Sequence, residues 1–241
     1  MEGLAIAPDG TNAWLCFRTP LVNGSGPTTN IALRTHTLIV TLKNISALVT
    51  GNPTAGPGAA QFGPPIRLNL GRRGIRSLDA TGDGQYLITA GPPGDVSAPP
   101  ASPLNFRLYT WTGSTNDAPL ERTTDFPDGF SPEGAMLPAS PVASNTVVQF
   151  VSDDSDACWK SFTANVGAAI MPPPFSLALA PPANGSVQLN LAAQTGLTYT
   201  VEFTSTLTNW FWLRTVNSTG AITPFLDATA TNDTRFYRAR Y

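Results

Sequence analysis

One histidine (His36), two cysteines (Cys16, Cys158) and two lysines (Lys43, Lys160) are all that 241 residues contain of those types. So few soft or imidazole ligands exclude zinc fingers, His-rich metal centres and a disulfide scaffold. Charged residues make up 12% of the chain, the formal net charge is −2, and the arginines form no basic stripe. Nucleic acid is therefore excluded as the expected partner. An apolar run long enough to span a membrane is also lacking. Residues 161–201 carry no charge, yet Pro172-Pro173-Pro174 and Pro181-Pro182 interrupt them and Asn, Gln, Thr and Ser are frequent. Met1-Glu2 opens directly into a strand-like motif with no basic and apolar leader. Helical periodicity is the last absence: apolar runs are short, alternate, and stop at Gly, Pro, Asn or Asp.

What is present is a chain able to bury a core, with 41% hydrophobic residues. Its 23 prolines and 21 glycines exceed ordinary usage but stay below the level of disorder. Strands are expected at 13–18, 37–42, 66–70, 86–89, 106–111, 120–124 and 146–151. Between them lie Pro8-Asp9-Gly10, Gly82-Asp83-Gly84 and Pro127-Asp128-Gly129. Asp-Gly pairs supply the positive φ of tight hairpin turns. The expected fold class is all-β.

Overlaying the strands brings out a repeat. Glu2-Gly3-Leu4, Arg73-Gly74-Ile75 and Glu133-Gly134-Ala135 each put a charged residue and a glycine before an apolar strand and its successor. A propeller blade commonly begins in this way. Three such units over residues 1–165 predict a partial β-propeller, since closed rings take about 4–8 blades. The natural N-terminus is accordingly expected upstream of Met1, and open strand edges are expected to favour self-association. Residues 166–174 read as a Pro-rich linker. Beyond it, 175–241 carry short alternating strands at 186–191, 198–204, 210–216, 222–226 and 235–240, which suits a small β-sandwich.

The series Leu70-Gly71-Arg72-Arg73-Gly74-Ile75-Arg76-Ser77-Leu78, Ile88 to Gly94, Leu108-Tyr109-Thr110-Trp111 and Ser131-Pro132-Glu133-Gly134 resembles an uncharacterised bacterial β-propeller family. That family is a domain of unknown function similar to the esterase-like phytase propellers. Glu2-Gly3-Leu4-Ala5 and Phe17-Arg18-Thr19-Pro20 fit an earlier blade of it. The tail, through Tyr199 to Phe203, Leu207-Thr208-Asn209-Trp210, Leu213, Asp227 and Phe236 to Arg240, resembles a small C-terminal β module of secreted proteins from Verrucomicrobia-like bacteria. Thr206 departs from the acidic residue usual there. The resemblances imply a propeller fold and a secreted or cell-surface location, and imply almost no activity.

Glu2, Arg73 and Glu133 hold equivalent repeat positions, with Arg18 and Arg76 as further candidates for a central channel. Arginine offers a bidentate fork to phosphate or carboxylate, so these residues fit a site for a polar or anionic ligand. They fit equally a ring of salt bridges between blades. Asp153, Asp154 and Asp156 form the densest acidic cluster and are the candidate calcium ligands. Asp79 and Asp83 read more simply as a turn. A nucleophile motif such as G-x-S-x-G is missing. His36 reads as a surface or capping residue, Cys16 as packing, and a Cys16–Cys158 disulfide stays open. Trp210, Trp212 and Tyr199 would stack on sugars if exposed, but a domain this small needs large residues in its core. The expected function is binding or scaffolding with no catalytic residue; the alternative is a metal-dependent phosphoric-ester hydrolase of phytase-like propeller type.

Overall fold

A computed structural model describes residues 1–24, 26, 28–50, 59–94, 104–136, 141–154, 158–171, 173–180, 186–230 and 234–240. The chain is all-β and divides into two compact units, Met1–Ile170 and Met171–Tyr241. None of the sheets closes into a barrel.

The first sheet of the larger unit runs β1 (Gly3–Ile6), β2 (Ala13–Val22), β3 (His36–Leu42) and β4 (Ile66–Leu68), each antiparallel to the last. A second meander is β5 (Gly74–Ala80), β6 (Tyr86–Gly91), β7 (Arg107–Trp111) and β8 (Leu120–Arg122). The third sheet has β9 (Gly134–Met136), β10 (Val147–Asp154) and β11 (Cys158–Asn165). β12 (Ala169–Ile170) does not extend the third sheet but pairs with β8 on the outer edge of the second. Part of the stretch read as linker is thus a strand. A six-residue helix, α1 (Ile45–Thr50), follows β3.

Gly3, Gly74 and Gly134 each open the first strand of a sheet, and β5 packs against both β1 and β9. Gly74 is required there by close approach: a Cβ would overlap the backbone carbonyl of Arg18. Gly74→Ala is therefore expected to destabilise this unit by about 2–4 kcal/mol, as overpacking against backbone cannot relax by a rotamer change. Urea titration followed by tryptophan fluorescence would check it, and an unchanged midpoint would contradict the packing.

The second sheet is covered on both faces, which explains why all six residues of β6 are buried. Tyr86, Ile88 and Ala90 face a cluster with Trp14, Cys16, Ile39 and Leu68 of the first sheet. Leu87, between them, joins Leu108, Val148 and Phe150 in a second cluster with the third sheet. Trp14 and Trp111 meet with ring centroids 5.0 Å apart, and Phe126 meets Phe150 edge-on at 4.9 Å.

In the smaller unit, β13 (Ser176–Leu179), β14 (Val187–Ala192) and β17 (Ile222–Asp227) form one sheet. β16 (Phe211–Asn217), β15 (Thr198–Thr204) and β18 (Phe236–Arg240) form another. Leu189 and Leu191 of the first bury one core with Tyr199, Val201 and Val216 of the second. Tyr199 is fully buried, so its ring belongs to that core. Trp210 lies instead at the surface of the core, half-buried under the Arg238 guanidinium at 4.2 Å, and Trp212 is exposed. The expectation that Trp210 is a core residue is corrected accordingly: its indole packs on a cation rather than on the apolar cluster.

Candidate functional site

Four of the five candidate channel residues come together. Glu2 precedes β1, Arg18 lies on β2, Arg76 on β5 and Glu133 precedes β9, so all three sheets of the larger unit contribute. Arg76 Nη1 lies 2.6 Å from Glu133 Oε1 and 3.3 Å from Glu2 Oε2. Arg18 Nη1 lies 3.0 Å from Glu2 Oε1. The result is a chain of alternating charge, Arg18–Glu2–Arg76–Glu133. Backbone carbonyls complete it: Arg18 Nε donates to Pro93 O at 3.1 Å and Arg76 Nη2 to Pro92 O at 3.5 Å. Gly94, with φ of 67°, leaves room for the Arg18 guanidinium, which a Cβ would strike. The Arg76 side chain is only 10% exposed, and its guanidinium stands 5.3 Å over the Phe106 ring.

Arg73 is placed elsewhere, although it precedes Gly74 as Glu2 precedes Gly3. Gly71 (φ 60°) and Arg72 (φ 64°) are left-handed, and Arg73 N–H closes this turn on the Leu70 carbonyl at 3.3 Å. The turn aims the Arg73 side chain into the second sheet. There Nε donates to Asn105 O at 3.0 Å, Nη2 to Asn105 Oδ1 at 2.7 Å and Nη1 to the Tyr109 hydroxyl at 3.3 Å. Arg73 thus anchors the loop before β7, and Arg76 supplies the cation that links the sheets. Burial raises the Tyr109 hydroxyl above the usual tyrosine range.

The acidic candidates lie on different elements. β10 continues through Asp153 and Asp154, which pair with Trp159 and Cys158, so these are ladder residues and not loop residues as expected. Asp156 lies outside the described residues. Asp79 sits in β5, where burial pushes its carboxyl above the ordinary range. Asp83 occupies the turn before β6 and accepts from Thr81 Oγ1 and from Gln85 N–H at 3.3 Å. Among the described residues no three His, Cys, Asp or Glu side chains are grouped to hold a metal ion.

Cys16 is a free, buried thiol, so the disulfide left open above is not formed. Burial, and then the Asp79 charge, pushes it up to about 12. His36 starts β3, with its ring packed over Gly24 and Nδ1 3.0 Å from Thr35 Oγ1. No helix among the described residues is long and apolar enough to cross a membrane.

Compared with protein-family models, curated proteins and solved structures, the chain matches none.

Proposed function

We propose that this chain is a secreted or surface-associated binding and scaffold protein, built as a partial β-propeller followed by a small β-sandwich, with no catalytic role for the charged cluster. The propeller reading is supported by consecutive antiparallel meanders, by a glycine opening each first strand, and by those strands packing side by side. The sandwich reading is supported by two three-stranded sheets that share one core.

One observation carries the functional reading: each cluster arginine is engaged by carboxylate and carbonyl oxygens of this chain. Arg76 shares Nη1 between Glu2 and Glu133 and reaches Pro92 O with Nη2, while its remaining donor, Nε, is buried away from any phosphoryl group. Its partners instead tie three sheets together. The test is a phosphatase assay on the full chain with an aryl phosphate and millimolar calcium. No turnover above buffer is expected. Calcium-dependent turnover abolished by Arg76→Ala would replace this reading with the hydrolase.

A second expectation concerns association. On β1, Gly3 and Ala5 are buried while Leu4 and Ile6 are 53% and 46% exposed. Exposed branched aliphatics on an edge strand invite pairing with another chain. Light scattering on the full chain at tens of micromolar is expected to show dimers or larger species. A monomer at all concentrations would remove this edge from the binding role.

A further inference from the structure

We propose that the first sheet of the larger unit carries a binding pocket for a small amphiphilic anion, a carboxylate or phosphate joined to an apolar body, with Arg34 and Arg67 as its charge-reading residues. The pocket goes beyond the scaffold reading and involves none of the clustered charges.

Its origin is a bulge. Phe17 of β2 pairs with Leu38 of β3, but the next pair is Val22 with His36. Five steps along β2 therefore oppose two along β3, and three extra residues must leave the ladder. Pro20 lies in this segment and has no N–H to offer a neighbour. Where the chain departs, a cavity of about 410 Å³ is lined by Pro20, Leu21, Val22, Leu38 and Pro65, together with Arg34 and Arg67. That volume falls within the ordinary range of small-molecule sites, about 300–1,000 Å³.

The walls are mostly apolar, with Asn23 and Thr28 among them, yet two guanidiniums border them and, among the described residues, no carboxylate does. The Arg34 side chain donates once, from Nη2 to the Thr28 carbonyl at 3.2 Å. The Arg67 guanidinium makes no hydrogen bond or ion pair among the described residues. Six other arginines pair with acids: Arg18, Arg76, Arg107, Arg235, Arg238 and Arg240. The local sequence makes the contrast systematic. Between Asp9 and Asp79 there is no Asp or Glu, while seven Arg or Lys occur, in a chain of net charge −2. The Arg34 and Arg67 guanidiniums, both half-buried, thus present nearly unsatisfied donors beside a hydrophobic hollow. An anionic headgroup would take the forks bidentately, and an apolar body would cover Leu21, Val22 and Leu38. A neutral apolar molecule would leave the arginines unanswered. A bare inorganic anion would leave the hollow empty.

The test is calorimetric titration of the full chain with 2-naphthoate, 2-naphthyl phosphate and neutral 2-naphthylmethanol. At least one of the anions is expected to bind, at least about ten-fold tighter than the alcohol, and to weaken as salt screens the arginines. Whichever anion binds tighter identifies the headgroup. Arg67→Gln is expected to weaken that anion about ten-fold, and Arg67→Lys to restore part of the loss, with unchanged melting as the control for folding. Should Arg34→Gln or Arg67→Gln not fold, the comparison of anion with alcohol on the unaltered chain still decides. Equal binding of anion and alcohol, no binding of any, or full affinity in Arg67→Gln would overturn the pocket. Release of 2-naphthol from the phosphate would instead overturn the non-catalytic reading, and leaves the naphthoate comparison intact.

Discussion

Replacing Arg76 with alanine is expected to destabilise the Met1–Ile170 unit by about 3 kcal/mol, because it removes the one nearly buried cation that two carboxylates share. Glu2 keeps Arg18 as a partner, 3.0 Å away. Glu133 loses its 2.6 Å ion pair with Arg76. Both carboxylates retain some solvent, 29% and 24% of their side chains, so the loss stays below that of a fully buried pair. For a unit of this size about 3 kcal/mol corresponds to a fall of roughly 6–12 °C in melting temperature. Thermal melts read by Trp14 and Trp111 fluorescence would measure it, both indoles being buried in the same unit. A double-mutant cycle with Glu133→Ala separates the pair from the packing of Arg76 on Phe106, and a coupling of about 1–3 kcal/mol is expected. A melt unchanged within a degree would show that the cluster does not tie the sheets together.

The sheets themselves were legible because their signals are local. Alternation and Asp-Gly turns placed β2 to β4, β6 to β8, β10 and β14 to β18 close to their observed bounds, whereas β1, β5 and β9 were marked only by the glycine that opens each. β11 was not legible: Cys158-Trp159-Lys160-Ser161-Phe162-Thr163-Ala164-Asn165 mixes Lys, Ser, Thr and Asn into its pattern, and its place is set by pairing with β10. β12 is two residues long and is held by β8, so no local pattern could have marked it. The charged cluster was partly legible. The residue before each glycine identified Glu2 and Glu133, but the same rule selected Arg73 in the middle repeat. Two left-handed residues, Gly71 and Arg72, redirect that side chain, and the cation arrives from Arg76 on the strand instead. Backbone handedness at one turn was the missing information. The pair of arginines beside the β2 bulge was not legible either, since a register shift between two strands is a tertiary property.

The smaller unit offers the largest expected effect, because 71 residues have little stability to spare. Asp227 ends β17 with its side chain fully buried. Its Oδ2 accepts from Arg235 Nη1 at 2.5 Å and from the Tyr237 hydroxyl at 2.9 Å, and its Oδ1 from Thr229 N–H at 2.8 Å. Arg235 in turn stands 4.1 Å over the Phe203 ring. The carboxylate therefore joins the two sheets through β18, on which Tyr237 packs inward while Phe236 is 41% exposed. Asp227→Ala leaves the Arg235 cation without its carboxylate and is expected to cost about 3–5 kcal/mol, enough to unfold the unit. Burial opposes charge at Asp227, but the hydrogen bonds from Thr229, Arg235 and Tyr237 outweigh it and hold the carboxyl below its ordinary value. A depressed folded value means the stabilisation is complete above the unfolded carboxyl value near pH 4. It is lost as pH falls through the folded value. Tyr237 supplies the opposite limb: burial, and then Asp227, push its hydroxyl up to about 12. A raised value means that stability is present below about pH 10, the unfolded value, and declines as pH rises toward 12. Residues 171–241 expressed alone are expected to melt cooperatively at neutral pH. That melt should weaken below about pH 4 and above about pH 10, and vanish in Asp227→Ala or on removal of residues 236–241. A fragment with no melt at any pH would mean that this unit depends on the larger one. A melt that survives Asp227→Ala would mean that the shared apolar core, and not the buried carboxylate, holds its two sheets together.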